Sequence, residues 1–200
     1  RRAACAADHV QAAALRARTE PYRACQVIQA DCNATETIAA VRSVTEKSLG
    51  LVFADTLSLA TVSLATLRTL VEDRRFDLIY TFHHQDANRN LRVALTTPSE
   101  GHRFEAGLGP DWQSAWRAHA SGLGTTMSVG NALEGFFCAQ LKSFGYQHVV
   151  PLPALMKNTK GAPLYRLLLA SHNPLAVKLW NGISAIRSDG QRTMGFGEQR

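Results

Sequence analysis

The 200-residue chain has no apolar run near the roughly 20 residues that a helical membrane span requires. The sequence therefore predicts a protein with no membrane span. The Ala-rich start meets Asp8, His9 and Gln11 too early to serve as the apolar core of a secretory signal. Its four cysteines, Cys5, Cys25, Cys32 and Cys138, form no C-x-x-C pair and no zinc spacing, which argues against a structural metal. Cysteines this sparse, without a secretory signal, read as reduced thiols in the cytoplasm. No basic run exceeds the pairs Arg1-Arg2 and Arg74-Arg75. The formal charge of +6 permits contact with nucleic acid without arguing for it. There is no internal repeat, no low-complexity linker, no P-loop and no Ser–His–Asp constellation.

What is present is an alternation of helical and strand patterns. Ala3 to Arg18 is rich in helix formers and stops at Pro21. Cys25 to Ala30 is a short strand ending at Asp31. Asn33 and Glu36 have capping-box spacing before a helix striped by Ile38, Val41 and Val44. Leu51 to Ala54 is a second strand, ending at Asp55. Thr61 or Ser63 can cap a helix that buries Leu64, Leu67, Leu70 and Val71. Phe76 to Phe82 is a third strand, ending at His83-His84. Each strand is a continuous apolar run, as in parallel strands covered on both faces.

From Gln85 to Gly130 the pattern weakens. Gly101, Gly107, Gly109 and Pro110 suggest a loop-rich insertion, in which Trp112 and Trp116 share one face of a short helix. Asn131 and Glu134 repeat the capping spacing before a helix that stops at Gly145. Tyr146 to Leu152 and Leu164 to Ala170 read as two strands. Their connection has no helix-length pattern, so they are expected to be antiparallel. The expected architecture is a single α/β domain over residues 1–182, with the insertion at 85–130 and a polar tail at 183–200.

Several blocks carry a family resemblance. They are Phe76–Phe82 (FDLIYTF), Asn88-Arg89, Asp111-Trp112, Phe144-Gly145-Tyr146, Gly161–Tyr165 (GAPLY) and Ala170–Trp180 (ASHNPLAVKLW). From about Cys25 to the C-terminus the chain resembles the three-Cys-motif partner family. Those bacterial proteins, associated with mobile elements, accompany a separate protein bearing a three-cysteine motif. The resemblance implies a Rossmann-like, mostly parallel methyltransferase-type sheet with a C-terminal antiparallel strand pair. It also implies a protein partner, and S-adenosylmethionine as the cofactor of any catalytic member. Such methyltransferases hold the cofactor with a Gly-rich turn after the first strand, and nothing upstream of Cys25 supplies one. The sheet is thus expected to lack its first strands and to leave an open edge through which the chain could oligomerise.

Within that resemblance Asp31 falls at the position of a cofactor-binding acidic residue, and as a residue before a helix it can equally cap. Asp55 falls where the family has an Asp-Pro-Tyr-like turn. Thr56 and Leu57 stand in place of the Pro and Tyr, and Leu57 is a poor platform for stacking a base. Strand ends of parallel sheets gather ligands. Asp55 and His83 are therefore the candidate catalytic pair, a carboxylate and an imidazole able to share proton transfer. Asn88 and Arg89, in the loop expected beyond the strand, are candidate contacts to substrate or partner, Arg89 by a bidentate grip on an anion. The metal expectation at His83-His84 is none, because adjacent strand residues point to opposite faces. Two functions remain open. One is an S-adenosylmethionine-dependent methyltransferase or part of one; the other is a non-catalytic subunit that binds a three-cysteine-motif protein.

Overall fold

A computed structural model describes residues 2–22, 24–44, 49–123 and 127–184. In chain order the elements are β1 (Arg2–Ala6), α1 (His9–Thr19), β2 (Cys25–Gln29), α2 (Thr35–Val44), β3 (Gly50–Ala54), α3 (Leu64–Val71) and β4 (Phe76–Phe82). There follow α4 (His84–Thr96), α5 (Pro98–Leu108), α6 (Trp112–Ser121), α7 (Val129–Ser143), β5 (His148–Pro151), β6 (Met156–Lys157), β7 (Pro163–Ser171) and α8 (Pro174–Ser184). Among the described residues no helix is long and apolar enough to cross a membrane.

The strands form two sheets. β1 and β2 make a parallel pair, and the larger sheet runs β3-β4-β7-β5, with β6 attached to β7. β3 and β4 are parallel, whereas β7 is antiparallel to both β4 and β5. The fold is therefore mixed α/β, with the antiparallel pair that the connection after Leu152 predicts. One face of the larger sheet carries Leu78, Tyr80, Phe82, Leu168 and Ala170. It packs with α3, α4 and α7 in the main core. On the other face Ile79, Val150, Leu167 and Leu169 gather around Trp180 of α8.

Four expectations are corrected. Residues 2–6 are a strand, and the first helix starts only at His9, where Asp8 accepts the Gln11 amide as its cap. Tertiary pairing with β2 overrides the helix propensity of the Ala-rich start. The stretch 85–130 is not loop-rich. α4, α5 and α6 fill it to Ser121. Gly101 and Gly107 are close-packing points inside α5, where a Cβ on Gly107 would sit 2.1 Å from the Leu59 carbonyl oxygen, whereas Gly109, at φ +93°, does end a helix. Asn33 does not cap its own helix. Its side chain crosses to the next connection, accepting from the Ser63 amide and the Thr66 hydroxyl and donating to the Thr61 carbonyl. Finally, β3 is covered on one face only: Leu51 and Phe53 are 60% and 58% exposed. Ser63 is the cap expected of it, accepting from the Thr66 amide. Of the tail at 183–200, residues 183–184 close α8, and 185–200 lie outside the described residues.

Candidate functional site at the carboxyl edge of the sheet

The parallel strands β3 and β4 of the larger sheet each run into polar residues, because the chain leaves the core there. β3 delivers Asp55 and Thr56; β4 delivers Thr81 at its end and His83 just beyond. Alternation along β4 puts Ile79, Thr81 and His83 on the side opposite the main core. Thr81 donates its hydroxyl to Asp55 Oδ1 at 3.0 Å. The buried Thr56 donates its own hydroxyl to the Thr81 carbonyl at 2.9 Å, which stitches the two strand ends together. His83 Nε2 contacts the Thr56 carbonyl oxygen. A carbonyl can only accept, so Nε2 carries the proton and a neutral His83 keeps its free lone pair on Nδ1. The Tyr165 ring of β7 lies 6.0 Å from the imidazole.

Asp55, Thr81, His83 and Tyr165 thus share one neighbourhood. Asp55 is exposed, and His83 and Tyr165 are half-buried. The segment 55–63 is held from below, since Asp86 of α4 accepts the Leu59 amide at 3.1 Å and also binds Asn90. A carboxylate, a hydroxyl and an imidazole nitrogen in one open group can accept a proton and orient a polar substrate.

The other sequence-predicted residues do not join this group. Asp31 ends β2 in the smaller sheet, and its carboxylate takes the Asn33 amide and side chain in a local turn. Asn88 and Arg89 lie on helix α4, not in a loop. Asn88 accepts the Gly130 amide and so fixes the start of α7, while Arg89 points to solvent. The residues that sequence reasoning missed are Thr81 and Tyr165. Both lay inside the quoted blocks, FDLIYTF and GAPLY, where period-two alternation places each on the face of its strand that meets His83.

The second polar cluster is buried. His84 Nε2 donates to Glu134 Oε2 at 2.6 Å, and Arg166 donates to Glu134 Oε1 at 2.7 Å. Glu134, expected to serve a helix cap, instead bridges α4, α7 and β7; Ser128 is the cap of α7. Burial and this carboxylate push the neighbouring Cys138 thiol up to about 12. A cleft of about 640 Å³ lies away from both clusters, between α3, α5, α6 and α7, with Arg68, Glu105 and Phe144 in its walls. Among the described residues no group of three or more His, Cys, Asp or Glu side chains is arranged to hold a metal ion.

S-adenosylmethionine would need a backbone cradle at this edge, where glycine lets amides approach a ligand closely. The segments 7–8, 30–34 and 55–63, which follow β1, β2 and β3, contain no glycine. The residues present supply an acidic group at Asp31 but do not fit the cofactor as a whole. In comparisons with known proteins, no family model, no curated protein and no solved structure matches the chain.

Proposed function

We propose that the chain is a partner-dependent subunit built on a methyltransferase-type sheet, in the manner of the three-Cys-motif partner proteins, and that it does not hold S-adenosylmethionine alone. The observation that carries the reading is the strand order. α7, β5, a long turn and an antiparallel β7 form the expected ending. With β2 taken as the family's third strand and β3 as its fourth, two places lie between them in that arrangement. β1 fills the place beside β2, and no described strand bonds to the free edge of β3. The glycine-free segments explain why the cofactor site would stay incomplete.

The grouping of Asp55, Thr81 and His83 favours the second reading, an S-adenosylmethionine-dependent methyltransferase. Calorimetric titration of the chain with S-adenosylmethionine separates the two. The expected result is no measurable heat at micromolar concentrations. Micromolar affinity that is lost in Asp31→Ala would replace the subunit reading with the enzyme.

A further inference from the structure

Asp55, Thr81, His83 and Tyr165 occupy adjoining positions on one face of the larger sheet. The registers that pair Ala54 with Tyr80 and Phe82 with Arg166 run on to set 55 beside 81 and 83 beside 165. The Thr81–Asp55 bond and the His83–Tyr165 ring contact agree with this placement. Asp55 and His83 are therefore diagonal neighbours, which stand roughly 7–8 Å apart across a strand pair. Thr81 occupies Oδ1 of Asp55, and among the described residues no cation pairs with this exposed carboxylate. His83 gives its Nε2 proton to the Thr56 carbonyl, so the neutral ring offers Nδ1 as a second acceptor. Tyr165 lies beyond His83. Phe53, two residues before Asp55 on the same face, is 58% exposed.

We infer that this group binds a guanidinium, the head of an arginine side chain, between the Asp55 carboxylate and His83 Nδ1. The inference rests on neither the cofactor nor the subunit reading. A guanidinium is planar, permanently charged and carries five N–H donors on three nitrogens. With a hydrogen bond of about 2.9 Å on either side, it spans the separation of the two acceptors. Its faces stack on aromatic rings, which Phe53 and Tyr165 supply.

Charge and shape exclude the other classes. Segment 55–63 contains no Lys or Arg, so a phosphate or carboxylate would meet Asp55 with no cation from its own segment to offset it. A neutral amide or base would leave the charge of Asp55 unmatched. An ammonium is a compact point charge that neither lies flat on a ring nor serves two separated acceptors in one plane. The arginine can come from a separate molecule or from this chain's own Arg187, Arg192 and Arg200, which lie outside the described residues. The chemistry is the same for both.

The test titrates N-acetylarginine amide, and its citrulline and lysine counterparts, into two isotope-labelled proteins. One is the full chain; the other is the full chain carrying Arg187→Gln, Arg192→Gln and Arg200→Gln. The arginine ligand is expected to shift the amides of 53–57 and 81–83 and the ring nitrogens of His83. It should bind about tenfold more tightly than citrulline or lysine, and more weakly as salt is raised. Binding to the full chain supports a separate molecule as the source. Binding only to the triple variant, whose substitutions themselves shift the same resonances, supports the chain's own arginines. Asp55→Asn should abolish the preference for arginine over citrulline without lowering the melting temperature. The inference is overturned if neither protein binds, if citrulline or lysine binds equally well, or if Asp55→Asn keeps the preference. Shifts confined to other elements would overturn it too.

Discussion

At the scale of single residues, the strongest constraint is a carboxylate inside the core. Glu134 is 5% exposed and His84 1%, yet both are satisfied, because Arg166 reaches the same carboxylate from β7. Removing the centre of such a group leaves charge without compensation in low dielectric. That is far costlier than the pair's net contribution to stability. Glu134→Ala is expected to cost roughly 3 kcal/mol in urea unfolding. Glu134→Gln keeps the shape and one acceptor and should cost less. Combining Glu134→Ala with Arg166→Met should recover part of the loss, since the buried cation leaves with its partner. A cost below about 1 kcal/mol for Glu134→Ala, the level of a surface ion pair, would mean that the cluster is hydrated and not structural.

Elements are held in place by contacts that only small residues allow. Gly107 sits inside α5, where alanine would gain about 1 kcal/mol of helix propensity. A Cβ there would meet the Leu59 carbonyl oxygen at 2.1 Å and its carbon at 2.8 Å, both backbone atoms that cannot step aside. Gly107→Ala is therefore expected to destabilise by about 2 kcal/mol or more, and to shift the amide resonances of residues 55–63, which Leu59 anchors. A stabilised variant would show that α5 and this segment part easily. The same position explains what was legible in the sequence. β2, β3, β4 and β7 announced themselves as apolar runs, and the Ser63 cap was readable because it acts within its own helix. Within 85–130, Gly101 and Gly107 serve close approach whereas Gly109 serves a turn, a difference that local pattern cannot show. Asn33 and Glu134 had capping spacing, but each found its partners some 30 to 50 residues away. The positions of Asp55 and His83, directly after β3 and β4, are readable from the ends of the apolar runs. Thr81 meets Asp55 only through the pairing of β3 with β4, and Tyr165 meets His83 only because β7 folds back beside β4, so neither contact is visible in local pattern.

For the whole molecule, the two sheets differ in what they bury. β4 and β7 carry Leu78, Tyr80, Phe82, Leu168 and Ala170 into the main core, all essentially inaccessible to water. β1 and β2 contain no fully buried residue, and of the two helices beside them α1 buries only Ala12 and α2 only Thr37. A two-stranded sheet is marginal without further support. Here that support comes from α2, through Arg42 to the end of α3, and from the bonds of Cys32 and Asn33 to the segment before α3. Local stability follows buried apolar contact, so the smaller sheet is expected to open without the larger one. Hydrogen exchange measured by mass spectrometry under native conditions should find the amides of 2–6 and 25–29 exchanging through a low-energy opening. Those of 76–82 and 167–171 should exchange only near the free energy of global unfolding. Asn33→Ala removes the acceptor for Ser63 and Thr66 and should speed exchange in 25–29 while leaving 167–171 unchanged. Equal protection of all four strands would mean that the two sheets unfold as one unit, joined more tightly than these few bonds allow.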